Sequence, residues 1–183
     1  TALVCSGRIC RALCWKYKGE LPAEKKAVII SVPHTSNWDF FWGELAFLSQ
    51  GIPAFILMKK EFFFFPLGMI LRALNVIPVD RGNKDSQLVE QMITEFKQRD
   101  SMYLCITPEG SRKKRKKWKK GFLVIAKAAG VPVYLGRIDY KGKYCEVGPL
   151  FYPTEDVDAD LAYIMSTYHD ANPKYPENFS NGN

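Results

Sequence analysis

A chain of 183 residues that is 47 % hydrophobic and 25 % charged is a globular protein, long enough to fold without disulfides or a structural metal. Its two histidines are far apart and no C-x-x-C occurs, which excludes a zinc site built from protein ligands. The net charge of +7 is concentrated in Arg112–Lys120, where eight of nine residues are basic; without those eight the rest of the chain carries −1. It is therefore a near-neutral globule with one basic patch.

In chain order, residues 1–17 read as a helix with Leu3, Cys10, Leu13 and Cys14 on one face. Gly19–Lys26 is a polar connection. Strand-like and helix-like patterns then alternate. Ala27–Val32 is a buried strand, and a helix follows from Asn37 to about Ser49. Ala54–Met58 is a strand, Pro66–Leu74 a helix with proline in its first turn, and Val76–Val79 a short strand. Ser86 to about Arg99 is a helix with Leu88, Met92, Ile93 and Phe96 at helical spacing and Ser86 as its cap. Met102–Ile106 is a strand, and Phe122–Ala129 a helix ended by Gly130. Val131–Tyr140 and Tyr144–Val147 form a hairpin around Lys141-Gly142-Lys143. Asp156–Tyr168 is a final helix. This alternation predicts an α/β fold: a single layered domain over residues 1–183, with a largely parallel central sheet flanked by helices. Its parts are the N-terminal helix (about 1–17), a core (about 27–152) and the C-terminal helix (about 156–168).

No secretory signal or membrane span is evident. The longest apolar run, Phe62–Leu71, is about half of the roughly 20 residues a span needs. Because the chain opens on Thr1, an anchor upstream stays open. The five cysteines read as reduced thiols in a cytosolic compartment, with Cys105 as inert core in an apolar strand. Asn178-Phe179-Ser180 fits a glycosylation acceptor by pattern alone.

Three polar constellations follow strands. His34 closes the Ala27–Val32 run and has Asp39 five positions on. A histidine held by a carboxylate at the mouth of a buried strand makes a general base working near neutral pH. The same Ser36-Asn37-Trp38-Asp39 stretch also reads as a helix cap, with Asp39 at the positive end of the dipole; the two roles are compatible. Asp80-Arg81-Gly82 follows Val76–Val79, where Arg81 could grip a phosphate or sit in a surface ion pair. Thr107-Pro108-Glu109-Gly110-Ser111-Arg112 follows Met102–Ile106. Here Gly110, the Ser111 hydroxyl, the Arg112 guanidinium and backbone amides could cradle a phosphate, with Glu109 positioning Arg112 or binding a hydroxyl. Parallel strands bring all three to one rim, where such sheets bind ligands. There is no G-x-S-x-G elbow, Walker loop or G-x-G-x-x-G, so a base acting directly on a bound hydroxyl fits better than covalent catalysis.

In this order and spacing, His34-x4-Asp39, Asp80-Arg81 with Gly68 upstream, Pro108-Glu109-Gly110-Ser111-Arg112 and Val131-Pro132 resemble the four blocks of the glycerophospholipid acyltransferase family, which includes 1-acylglycerol-3-phosphate acyltransferases. The resemblance covers about Ala27–Tyr152. It implies an O-acyltransferase that moves a fatty acyl group from acyl-CoA or acyl carrier protein to the hydroxyl of a lysophospholipid or glycerophosphate-like acceptor. His34 would be the base and Asp39 its orienting partner. Arg81, Glu109, Gly110, Ser111 and Arg112 would hold the acceptor. No metal and no cofactor beyond the thioester co-substrate are implied. Pro33, Thr35 and Thr107 depart from residues common in the family. Phe62, Phe63, Lys116, Lys117 and Trp118 are the expected contacts to an anionic membrane surface or the donor, for a protein lying peripherally on the inner, cytoplasmic face. Two alternatives remain: a nucleic-acid-binding module using the basic run with Trp118 stacking on a base, and a catalytically silent lipid-binding protein of the same fold.

Overall fold

The computed structural model describes residues 14–19, 22–80, 85–115 and 117–180. Seven strands form one sheet: β1 (Lys16–Lys18), β2 (Lys26–Val32), β3 (Ala54–Lys59), β4 (Val76–Val79), β5 (Met102–Ile106), β6 (Val133–Asp139) and β7 (Tyr144–Phe151). Their spatial order is β1-β7-β6-β2-β5-β3-β4. Only the β6–β7 pair is antiparallel, the hairpin expected around Lys141–Lys143; every other pair is parallel. Among the described residues five α-helices flank the sheet: α1 (Trp38–Gln50), α2 (Leu67–Ala73), α3 (Asp85–Gln98), α4 (Gly121–Ala129) and α5 (Val157–Ser166). The α/β expectation holds.

The central strand explains the layering. Successive side chains of a strand point to opposite faces. In β2, Val28, Ile30 and Val32 enter one apolar cluster with Met92 and Phe96 of α3, Phe122 and Leu123 of α4, and Ile164 of α5. Ala27 and Ile29 enter another with Phe47 of α1, Ala54 and Cys105. A strand covered on both faces must be largely apolar, and the run Ala27–Val32 is, with Ser31 its one polar residue. At Gly136 the β2 backbone comes so close that a Cβ would lie 2.4 Å from the Ile30 carbonyl oxygen, so only glycine fits at this point of β6. Gly130 takes φ 64° and ends α4, as its place in the sequence predicts.

Several expectations are corrected. The predicted N-terminal helix lies mostly outside the described residues, but its end is not helical. Lys16–Lys18 forms β1 alongside β7, and Trp15 is buried with its ring stacked on Trp42 at 4.3 Å. That aromatic contact and the ladder to β7 outweigh local helix propensity. Ser86 lies inside α3, which starts at Asp85, so it is not the cap. β7 runs on to Phe151, and the last helix stops at Ser166. Among the described residues no helix is long and apolar enough to cross a membrane.

The largest correction is Trp118. It is 3 % exposed, its indole N–H donates to the Ser180 carbonyl at 3.0 Å, and its ring packs against Tyr168 and Phe179. It is neither a membrane contact nor a platform for a base. An indole amid charged neighbours is the one member of that run with more to gain from burial than from water. Trp118→Ala should therefore cost about 3–5 kcal/mol of stability in denaturant unfolding; a loss under about 0.5 kcal/mol, the usual range for surface changes, would return Trp118 to the surface.

Candidate active site

The C-terminal ends of β6, β2 and β5 are adjacent, and the site is built from the residues just beyond them. Beyond β2 the chain turns through Pro33–Asn37 into α1, with a cis Val32–Pro33 bond. His34 stands in this turn, its imidazole 22 % exposed and its Nδ1 3.3 Å from Asp39 Oδ2. Asp39, in the first turn of α1, is 3 % exposed. Its Oδ2 accepts the amides of Thr35 and Ser36, both at 2.7 Å, and its Oδ1 accepts the Tyr140 hydroxyl at 2.6 Å. The Ser36 hydroxyl accepts the Trp38 amide at 3.2 Å. The capping and pairing roles thus coexist: one carboxylate closes the turn and sits against the histidine.

Beyond β5, Glu109 is 4 % exposed and accepts the His34 backbone amide at 2.6 Å. That contact is a further role, beside the two expected ones. Glu109 braces the histidine turn, while Arg112 is exposed in the basic loop. Burial, reinforced by the charge of Asp39 and opposed by the His34 amide, pushes the Glu109 carboxyl up to about 8. Gly110 adopts φ 66° and its amide donates to the Thr107 carbonyl. The Ser111 hydroxyl accepts from the Lys113 amide and from Arg115 Nε, both at 3.2 Å, which folds it toward its own basic loop.

The third constellation is more distant. β4 lies three strands from β2, roughly 14 Å at about 4.8 Å per strand. Asp80 pairs with Lys60. Arg81 and Lys116 lie outside the described residues. Phe62 is exposed, whereas Phe63 is half-buried beneath the Arg72 guanidinium. Lys117 is exposed.

Two residues were missed by the sequence reading. Tyr140 is the first residue beyond β6; the rule that picked out His34 and Glu109, polar groups directly after parallel strands, would have found it. Glu44, on the inner side of α1, is 8 % exposed, and among the described residues its Oε2 has no hydrogen-bond partner. Burial pushes its carboxyl up to about 7. Cys105 is 7 % exposed, and burial, with the Glu44 charge, pushes its thiol up to about 12, so its inert role stands.

A rim histidine held against a buried carboxylate is an arrangement that can take a proton from a bound group. The chain belongs to the acyltransferase family: residues 14–135, about two thirds of its length, match the family model described as Acyltransferase. Its fold is similar to the crystal structure of the 1-acyl-sn-glycerophosphate acyltransferase PlsC from Thermotoga maritima, with a TM-score of 0.65 and 18 % identity over 91 % of this chain and 74 % of that one. No curated protein sequence matches it.

The buried carboxyls give a signed pH dependence. A carboxyl whose folded pKa lies above its unfolded value takes up a proton on folding at pH values between the two. Glu109, moving from 4.5 to about 8, therefore costs stability progressively as pH rises through that window, and Glu44 acts the same way up to about 7. Unfolding free energy should fall by a few kcal/mol between pH 5 and 8. The fall should be smaller in Glu109→Gln and smallest in Glu44→Gln/Glu109→Gln. Denaturant titrations at pH 5, 6.5 and 8 check this; identical slopes in wild type and variants would refute the buried-carboxyl assignment.

Proposed function

We propose that this acyltransferase moves a fatty acyl group from an acyl thioester, acyl-CoA or acyl carrier protein, to the hydroxyl of a lysophospholipid or glycerophosphate-type acceptor. The observation that carries this reading is the half-open His34 imidazole 3.3 Å from buried Asp39, in a chain of this family. His34 takes the proton of the acceptor hydroxyl as its oxygen attacks the thioester carbonyl. The imidazolium formed beside Asp39 is stabilised by the carboxylate. The tetrahedral intermediate collapses with loss of the thiolate, which recovers the proton from His34. A positioned general base supplies about 10²–10⁴-fold in rate. Arg112 and Arg81 supply positive charge for an acceptor phosphate, and Gly110 and Ser111 form the loop on which it would rest. No metal is needed for any of these steps.

The nucleic-acid alternative has lost its aromatic platform, because Trp118 is buried. Turnover separates the proposal from a silent lipid-binding protein. With lysophosphatidate and labelled acyl-CoA or acyl carrier protein, the wild type should form phosphatidate. His34→Ala should lower kcat by about 10²–10⁴-fold without unfolding the protein. Wild-type kcat in His34→Ala would end this mechanism.

Access to lipid has a candidate surface on the same rim. After β3, the segment from the short turn Lys60–Phe62 through α2 carries Phe62, Phe64, Phe65, Met69 and Ile70, all exposed, with Phe65 84 % accessible. Fully burying such a side chain gains about 1.5–3 kcal/mol. Each basic residue of Arg112–Lys120 near an anionic surface adds about 1 kcal/mol, less in salt. The surface supports peripheral binding to the cytoplasmic face of a membrane, with Phe64, Phe65, Met69 and Ile70 in place of half-buried Phe63. Wild type should sediment with anionic vesicles and be released by salt. Phe64→Ser/Phe65→Ser should bind them at least about tenfold more weakly while turning over a soluble short-chain acceptor normally. Unchanged vesicle binding would exclude this surface.

A further inference from the structure

We infer that Tyr140 is a positioning residue of the transfer reaction, acting through Asp39 on His34 by donating its hydroxyl hydrogen bond. The inference rests on the proposed role of His34 and extends it to a residue beyond positions 14–135 of the family match.

The geometry is a chain of contacts. Tyr140 donates its hydroxyl to Asp39 Oδ1 at 2.6 Å, while Asp39 Oδ2 faces His34 Nδ1 at 3.3 Å. The two oxygens divide their work: Oδ2 holds the turn amides and the imidazole, and Oδ1 takes the phenol. The phenol fixes the rotation of the carboxylate and withdraws charge from it. Both effects reach the imidazolium that forms when His34 takes a proton.

Tyr140 is itself held from several sides. Its ring packs edge-on to Trp15 at 5.2 Å, and Trp15 stacks on Trp42 of α1. Its amide donates to the Asn172 carbonyl, and the Asn172 side-chain amide donates to Asp139 Oδ2 at 2.7 Å. A second tie from the same C-terminal segment reaches the turn, where the Tyr175 amide donates to Thr35 Oγ1 at 3.3 Å. The ionisable groups facing this chain are Glu109, on which the charge of Asp39 acts, and Cys145 and Tyr175, which act on Tyr140. Burial first, and then the bond to Asp39, hold the Tyr140 hydroxyl in its protonated, donating form across the working pH range.

Tyr140→Phe tests the proposal, because it removes one oxygen and keeps the ring against Trp15. With wild-type transfer activity established first, the variant should lose about 5–30-fold in kcat, with KM for donor and acceptor within about twofold. The acidic limb of its kcat–pH profile should move up by half a unit or more, because an Asp39 relieved of the phenol holds a protonated His34 more strongly. In an Asp39→Asn background, Tyr140→Phe should cost less than about twofold further, since the groups act as a unit. A loss of equal size in both backgrounds, or a kcat and profile like the wild type's, would overturn the proposal. If Tyr140→Phe fails to fold, replacing all tyrosines with 3-fluorotyrosine keeps the shape and makes the phenol a stronger donor. The acidic limb should then move down, and an unmoved limb would overturn the proposal. Absence of transfer activity in the wild type would instead refute the underlying function, a separate and recognisable outcome.

Discussion

The Asp39 carboxylate is the interaction on which this site depends. It is almost wholly buried, yet it stays supplied with partners: two backbone amides, one phenol and the imidazole of His34. A buried carboxylate without such donors would cost several kcal/mol. With them, it ties the residue that follows β2 to the first turn of α1 and to the end of β6. Glu109 extends the frame from the other side by accepting the His34 amide. The histidine is thereby held through its backbone from β5 and faced through its side chain by α1, while its ring remains open to a substrate.

Sheet order explains why these pieces meet. β2 lies between β6 and β5, and all three run parallel, so their C-terminal ends share one rim. The exposed aromatic surface beyond β3 and the basic loop after β5 border the same rim. Under the proposed function, a hydroxyl acceptor, a charged headgroup and an apolar tail would each meet a surface of suitable character on the rim that carries His34. The family match covers the His34 and Glu109 loops, whereas Tyr140, Asn172 and Tyr175 complete the site from beyond its limit.

Much of the fold was legible because its determinants are local. Largely apolar runs such as Ala27–Val32 mark strands covered on both faces, and Gly130 and the Lys141–Lys143 turn carry their own stop signals. The site was legible where a polar residue directly follows a strand. What stayed hidden depends on contacts distant in sequence. β1 exists because Trp15 finds Trp42 and because β7 offers an edge. Trp118 is buried because Ser180 and Phe179 return to cover it. Glu109 looks like a ligand for Arg112 by adjacency, but the pairing of β2 with β5 delivers it to the His34 amide. The short 3₁₀ turns at Lys60–Phe62 and Pro176–Asn178 have no periodicity to read.

If Asp39 is the keystone, the turn it holds must be rigid before any substrate arrives. Amide hydrogen exchange at Thr35 and Ser36 measures this most directly, because these two amides donate to Asp39 Oδ2 and to no strand. In the unliganded wild type both amides should be protected nearly as well as the neighbouring β2 amides. Asp39→Ala should lose protection selectively at Thr35 and Ser36, with β2 still protected. Exchange of these two amides at free-loop rates in the wild type would contradict this.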